Sequence, residues 1–305
     1  VLLLGRDHAA TRQNARDHHQ ALRADLLGVG GMGSVPGAFL AALLIGQLQA
    51  FGILILPKIT LVLVFLLMAV VLVVRPWGLL GRPDAAHGRA VLPEGILDLR
   101  RFARFEWIAA AIVGAGLLLL PLVGDAYAVK VMIEILSFAL AAFSLNFLIG
   151  VGGIVSFGHA AYFGLGAYAA GLLATKLGVP MEPALLAAPL VAGLGAAVFG
   201  FFIVRLSGIY LAMLTLAFAQ ITYAVAFQWV ELTGGDNGVV GVWPSAWASS
   251  RTAYYYVMLT VCAGAIWVLR RAIYAPFGYT LRAARDSAAR ADAIGIDVRA
   301  HRWLA

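Results

Sequence analysis

The sequence predicts an all-α, polytopic membrane protein with about eight transmembrane helices. It is 62% hydrophobic and 12% charged over 305 residues, whereas roughly a quarter of the residues of a soluble domain are charged. The charges are also clustered, and they leave apolar runs of about 16–23 residues, the length that a helix needs to cross a bilayer. Because these runs are continuous and not alternating, they exclude a transmembrane β-barrel.

The predicted spans fall into two groups on either side of an arginine-rich linker at residues 76–106. The spans are Val35–Leu56, Ile59–Val74, Trp107–Val123, Tyr127–Ile149, Val155–Leu173, Met181–Val204, Ile209–Val230 and Thr252–Leu269. The chain is therefore expected to comprise a polar N-terminal segment (1–34), a two-span segment (35–75), the linker (76–106), a six-span core (107–273) and a C-terminal segment (274–305).

The arginines predict how these spans are oriented. Residues 1–34, the linker and the tail that starts at Arg270 are all rich in arginine, and such segments stay on the cytoplasmic side. An even number of predicted spans separates each pair of them, so all three fall on one side. The intervening outer loops at 124–126, 176–180 and 231–251 carry few basic residues. The pattern indicates a multi-pass protein of the cytoplasmic membrane.

Several local patterns carry no chemistry of their own. The single cysteine, Cys262, lies in an apolar run, which excludes a disulfide framework. The glycines of 28–33 match the spacing of a dinucleotide-binding loop, but a predicted span follows them and the next acid after them is Asp84. His18 and His19 have no partner at metal-ligand spacing. We therefore expect no cofactor and no metal.

The stretch from Gly150 to Lys176 organises the predicted bundle. A glycine-rich opening carries Ser156 and His159, and small residues then recur at spacings of four, as in Ala160 and Gly164. Such spacing lets helices approach closely, and the segment is expected to lie centrally, as a span or as a re-entrant turn. The spacing also predicts that Ser156 and His159 share one helical turn. A serine hydrolase is disfavoured because no G-x-S-x-G motif and no local acid accompany the pair.

Polar groups inside the spans are candidates for a solute pathway. The predicted pathway residues are Glu134, Asn146, Gly152, Gly153, Ser156, Gly158, His159, Tyr210, Thr215 and Gln220. Two alternatives stay open. Glu134 could be a structural acid that is protonated or hydrogen-bonded, and the polar residues of the seventh span suit hydrogen bonding between helices equally well.

Two segments outside the spans suggest partners. Thr233–Gly238 is a turn-forming outer loop next to tryptophans and tyrosines typical of a membrane interface. Leu281–Ile296 is rich in alanine and charge, and it predicts one or two short amphipathic helices that break at Gly295. Such helices either lie on lipid or dock onto a cytoplasmic motor.

Four stretches, in order, resemble one family. Val155–Tyr168 is similar to the signature segment of LivM-type permeases, the membrane subunits of bacterial ABC importers for branched-chain amino acids. Residues 208–217, 232–238 and 285–296 agree with it, so the resemblance covers about 105–305. Residues of about 29–82 resemble the C-terminal end of a LivH-type permease, the sister subunit. The family continues beyond the last residue, so a C-terminally truncated permease bundle is expected; fusion, a gene-boundary error and truncation are open.

The resemblance implies a permease subunit for leucine, isoleucine and valine in the bacterial inner membrane. Its implied partners are a LivH-type permease, two cytoplasmic ATPase subunits and a periplasmic binding protein. The binding protein would face Thr233, Gly234, Gly235, Asp236 and Asn237, and the ATPases would face Arg282, Arg285, Asp286, Ala291 and Gly295. At Ala288 the chain lacks the acid of the usual coupling motif.

Other functions remain open under the same resemblance. The chain has no P-loop motif, so it is not expected to be an enzyme or to hydrolyse ATP itself. Uptake of urea or short amides is the alternative within the family. A permease fragment that does not transport is a further one.

Overall fold

The computed structural model describes residues 35–55, 57–80 and 104–305. The N-terminal segment, the glycines of 28–33, His18, His19 and most of the linker lie outside the described residues. Within these ranges the chain forms α-helices and no strand, which confirms the all-α prediction.

The long helices follow the predicted spans closely. They are α1 (Val35–Ile55), α2 (Thr60–Val74), α3 (Arg104–Val123), α4 (Ala126–Asn146), α5 (His159–Lys176), α6 (Met181–Ile203), α7 (Gly208–Gln228) and α9 (Arg251–Tyr274). The short ones are α8 (Val230–Thr233), α10 (Pro276–Asp286), α11 (Ala288–Ala293) and α12 (Val298–Leu304). A π-helical turn, Phe147–Val151, follows α4 directly.

Five helices are long and apolar enough to cross a membrane: Pro36–Ile55, Ala126–Val151, Met181–Ile203, Gly208–Gln228 and Arg251–Tyr274. Thr60–Val74 and Trp107–Val123 are shorter apolar helices. In the part of the chain that the structure describes, the predicted span Val155–Leu173 belongs neither to the five long apolar helices nor to the two shorter ones. Its helix starts only at His159 and continues to Lys176, so a polar residue stands at each end and lowers its mean hydropathy.

The last long helix also differs from its prediction. It continues past Leu269 to Tyr274 and therefore contains two arginines of the predicted cytoplasmic tail. The Arg270 guanidinium lies 5.8 Å from the ring centre of Trp107 and 5.6 Å from that of Tyr274. Aromatic rings and long arginine stems of this kind are typical of a helix end at the membrane interface.

The chain forms two compact units. The first contains α1, α2, α7, residues 155–165 and the C-terminal half of α6. In it α2 packs along α7, and the buried residues of α2 recur every fourth position at Val64, Met68 and Leu72. Because positions four apart share one helix face, α2 presents a continuous apolar stripe to its own unit.

The second unit is built around α4 and α9. Its core contains Val129 and Leu136 of α4 together with Tyr255 and Cys262 of α9. The Cys262 sulfur lies 3.5 Å from the Leu136 carbonyl oxygen. As the sequence indicated, the lone cysteine is a small buried core residue.

A proline in α3 explains a second contact of α9. Pro121 lies inside α3, and because proline has no N–H it leaves the carbonyl four residues earlier, at Leu117, without its helical donor. The Tyr255 hydroxyl donates to this carbonyl over 2.7 Å. The neighbouring Tyr256 hydroxyl donates to the Leu118 carbonyl over 2.9 Å. Tyr255 thus replaces the hydrogen bond that Pro121 removes.

A double-mutant cycle tests this compensation. Tyr255→Phe should lower the free energy of unfolding by about 1–2 kcal/mol, since it leaves the Leu117 carbonyl unpaired. In a Pro121→Ala background the alanine N–H supplies the helical bond, so the same substitution should have a smaller effect. The shift of the apparent Tm in detergent measures both.

Tyr256→Phe is the matched control for this cycle. Its acceptor, Leu118, is four residues before Leu122, which keeps an N–H, so its effect should be the same with and without Pro121. Equal effects of Tyr255→Phe in both backgrounds would contradict the compensation.

Candidate functional site

The segment between the π-helical turn and α5 is not helical. Gly153 adopts a φ of +63° just after the turn, and α5 begins at His159. The prediction that Ser156 and His159 share a helical turn is therefore wrong. Ser156 lies in a non-helical stretch, Ile154–Gly158, which precedes the helix.

This stretch is fixed on α7 by one threonine of the first unit. The Phe157 N–H donates to the Thr215 Oγ1 over 3.0 Å, and the Thr215 hydroxyl donates to the Ala212 carbonyl over 2.7 Å. Thr215 is only 3% exposed. The sequence left open whether Thr215 lines a pathway or bonds between segments; its bond to Phe157 joins two segments, and its bond to Ala212 lies within α7.

Gly158 makes a close backbone approach to α7. A Cβ at this position would lie 2.2 Å from the Thr215 carbonyl oxygen, a distance at which the backbones must separate. Only glycine therefore allows the observed contact.

Ser156 and His159 do not form a nucleophile–base pair. Ser156 is 5% exposed, and its buried Oγ has no hydrogen-bond partner among the described residues. His159 is half-buried and contacts Tyr162 edge to face, with 6.3 Å between ring centres. Because the serine hydroxyl does not bond to the histidine, the arrangement lacks the activation that a hydrolase requires.

An aromatic stack extends the first unit from α5 towards α7. Tyr162 contacts Phe199 of α6 with 6.1 Å between ring centres. Phe199 in turn stacks on Phe218 at 4.5 Å with nearly parallel planes. The sequence did not single out these residues, because aromatic residues in apolar runs carry no signal of their contacts. Tyr210 and Gln220 of α7 are half-buried.

The outer loop of the first unit is an ordered turn. The Thr233 Oγ1 lies 2.5 Å from the Ala226 carbonyl oxygen and accepts the Gly235 N–H over 3.2 Å. Gly234 and Gly235 have φ of +80° and +59°, a region that favours glycine. Asp236 and Asn237 are exposed. The turn predicted from Thr233 to Gly238 is confirmed.

A carboxylate that the sequence did not single out holds the next loop in the second unit. Glu182, at the start of α6, accepts hydrogen bonds from the Ser245 hydroxyl at 3.1 Å and from the Trp247 indole. The sequence predicted only an aromatic interface here. An acid 63 residues from its partner gives no sequence signal of the contact.

The C-terminal segment of the second unit breaks twice. The predicted break at Gly295 is confirmed by its φ of +88°. A second break falls at Ser287, whose hydroxyl caps α11 by accepting the Arg290 N–H over 3.3 Å. Between the breaks, Ala291 is buried against Ala284 and Val298, so the three short helices form one small cluster.

Two arginines of α10 bind backbone carbonyls at helix ends. Arg282 donates to the Ile273 carbonyl near the end of α9 over 2.7 Å, and burial lowers the pKa of its guanidinium. Arg285 donates to the Gly150 carbonyl over 2.5 Å and forms an ion pair with Asp286 over 2.9 Å. Helix C-termini carry partial negative charge, which favours cations there.

The remaining predicted pathway residues belong to the second unit. Glu134 and Asn146 of α4 are exposed, Gly152 is buried and Gly153 is exposed. The hydroxyls of Ser137 and Ser144 on the same helix donate to carbonyls of their own helix. The ten candidates are therefore divided between the units: Ser156, Gly158, His159, Tyr210, Thr215 and Gln220 in the first, and Glu134, Asn146, Gly152 and Gly153 in the second.

The Gly158 contact yields a direct prediction. Gly158→Ala should lower the apparent Tm in detergent and the yield of folded protein, because overpacking of a buried contact costs about 1–3 kcal/mol. Gly164→Ala, in α5, is the matched control, since nothing lies within 4 Å of a Cβ there and alanine favours a helix over glycine by about 1 kcal/mol. A Gly158→Ala protein as stable as Gly164→Ala would refute the close approach.

Comparisons with known proteins find one family and two relatives. Residues 127–305 match the family described as branched-chain amino acid transport system / permease component. Two relatives are the high-affinity branched-chain amino acid transport system permease protein LivM of Escherichia coli K12 and that of Salmonella typhimurium LT2. Each is 35% identical over 95 residues, which is 31% of this chain and 22% of the relative. The chain thus spans about a fifth of the curated relatives it matches.

No solved structure matches the chain significantly, and the LivH-like resemblance of residues 29–82 stays a prediction. The family is one of transport permeases and not of enzymes. Because its match covers well over half of the sequence, the chain belongs to the family of permease components of branched-chain amino acid transport systems.

Proposed function

We propose that this chain is a permease subunit of an ABC importer that moves leucine, isoleucine and valine across the bacterial inner membrane. The observation that carries the proposal is the family match over residues 127–305, which includes the amphipathic helices α10–α12. The same match supports the bilayer as the location, together with the five apolar helices.

The energy for transport would come from separate subunits. The sequence has no P-loop, so two cytoplasmic ATPase subunits would hydrolyse ATP and dock on α10–α12. Exposed groups of this segment include Asp286 and Gly295, while Arg282 and Arg285 are half-buried. A LivH-type permease would complete the pathway.

Substrate would arrive on the opposite face from a periplasmic binding protein. The ordered turn at 233–238 exposes Asp236 and Asn237, which suits recognition by a soluble partner. In the first unit, the buried Ser156 hydroxyl and the half-buried His159 near the start of α5 are the polar groups that we assign to the pathway. Helix ends and unwound backbone of this kind hold polar solutes in many transporters.

Labelled leucine uptake tests the substrate. Proteoliposomes containing this chain, its sister permease, both ATPases and the binding protein should accumulate leucine with ATP, and excess isoleucine or valine should compete. Competition by urea, and not by isoleucine or valine, would indicate instead a permease for urea or short amides of the same family. Assembly with the ATPases without any uptake would favour the fragment that does not transport.

The break at Gly295 predicts a coupling defect. Gly295→Pro should reduce uptake severely, because proline fixes φ near −65° and cannot adopt the observed +88°. Insertion into the membrane should persist, since it depends on the spans, and fluorescence of a C-terminal fusion in the membrane fraction measures it. Gly295→Asn is the control, because asparagine tolerates left-handed backbone. Undiminished uptake by the proline variant would contradict the assignment.

A further inference from the structure

We propose that Arg285 is a positioning residue that transmits movement of the cytoplasmic helices to the end of α4. In this proposal α10 acts on the π-helical turn and on Gly150–Gly153 through one guanidinium and one leucine. The inference rests on the proposed function, because it assumes that ATPases move α10–α12.

The first contact is between Arg285 and the glycine turn. The Arg285 Nη1 donates to the Gly150 carbonyl over 2.5 Å, although 135 residues separate the two in sequence. The aliphatic stem of Arg285 lies over Gly153, where a Cβ would be 2.3 Å from the Arg285 Cγ. The arginine stem therefore has room over the turn only because Gly153 has no side chain.

The second contact lies one helical turn earlier on α10. Leu281 is fully buried, with 0% exposed, and it packs against Phe147 and Val151 of the π-helical turn. A Cβ on Gly152 would lie 3.4 Å from the Leu281 Cδ2, which is close to ordinary contact. Positions 281 and 285 are four apart and therefore lie on one face of α10. This face contacts the turn at two points.

The π-helical turn has irregular backbone hydrogen bonding. Its backbone departs from α-helical bonding: the Gly152 N–H donates to the Phe147 carbonyl five residues earlier over 3.2 Å, and the Ile154 N–H to the Leu148 carbonyl six residues earlier over 3.1 Å. π-Helical turns are rare and occur frequently at functional sites. The Arg285 bond thus stabilises a backbone whose own hydrogen bonding is irregular.

The guanidinium is held in place from its other side. The Asp286 Oδ1 lies 2.9 Å from both the Arg285 Nε and the Arg285 Nη2, while Nη1 is left to bond Gly150. Lysine has a compact ammonium group and no planar fork, so it cannot reproduce this set of contacts. Movement of α10 must therefore carry the Gly150 carbonyl along or break the bond.

The chain itself connects this turn to the proposed pathway. Only Ile154 and Val155 separate Gly153 from Ser156. In this proposal, a displacement of Gly153 pulls directly on the non-helical stretch Ile154–Gly158, which follows it in the chain. The structure assigns to Arg285 the first step in this sequence of contacts.

The first test measures the coupling ratio, which is the amount of leucine moved for each ATP hydrolysed. In the complete importer in proteoliposomes, Arg285→Gln should lower leucine uptake about tenfold, within the usual range of coupling between sites. The amount of leucine moved for each ATP hydrolysed should fall by a similar factor when the two importers are matched for assembled protein. Arg271→Gln, at an exposed position of α9 outside the proposed docking helices, is the matched control. Parallel loss of uptake and hydrolysis, or unchanged uptake, would overturn the proposal.

A conformational reporter gives a test that does not need transport. Val155 is 43% exposed, so Val155→Cys in a Cys262→Ser background can be labelled with a maleimide in the assembled importer. With Arg285 present, ATP and vanadate should change the labelling rate. Arg285→Gln should abolish this change, and Arg285→Lys should restore it only weakly.

The labelling of Val155→Cys distinguishes a failure of the proposed substrate from a failure of the proposed role of Arg285. If the unmodified importer moves neither leucine, isoleucine nor valine, the proposed substrate fails, and the labelling still decides the role of Arg285. A nucleotide-dependent change that persists in Arg285→Gln would overturn this role. So would labelling that does not respond to nucleotide when Arg285 is present.

Discussion

Inside a bilayer, a backbone N–H or C=O group that loses its helical partner must find another one within the protein. This constraint explains the contacts that define the structure. The non-helical stretch before α5 gives the Phe157 N–H to Thr215. The carbonyl that Pro121 leaves open in α3 receives the Tyr255 hydroxyl. At each interruption, a side chain from a distant part of the same unit supplies the missing hydrogen bond.

The same rule places the two arginines of α10. Arg282 and Arg285 bind carbonyls at the ends of α9 and of the π-helical turn, where the helix leaves acceptors without donors. These bonds make the C-terminal helices part of the second unit. The segment proposed as the docking site of the ATPases is thereby bonded to the end of α9 and to the π-helical turn that follows α4.

Glycine has a different role at each of two positions between the π-helical turn and α5. At Gly158 it allows two backbones to touch, and at Gly153 it leaves room for an arginine stem while adopting a left-handed φ. By contrast, a Cβ added to Gly164 would meet no atom of the described residues within 4 Å. The spacing of small residues alone does not distinguish these cases, because close approach depends on what lies opposite. Spacing indicates where contact is possible, and only the packed structure shows where it occurs.

The sequence by itself determined the fold class, the position of the long helices, the burial of Cys262, the outer turn at 233–238 and the break at Gly295. These features follow from local composition: apolar length, clustered charge and glycine in turns. The resemblance carried by residues 155–168 also led to the family. Only the tertiary structure decided that α5 starts at His159, that Thr215 holds the stretch before it, and that Glu182, Tyr255 and Arg285 bond to distant partners. These bonds join residues from 58 to 138 positions apart, and no local pattern records which donor meets which acceptor once the chain has folded.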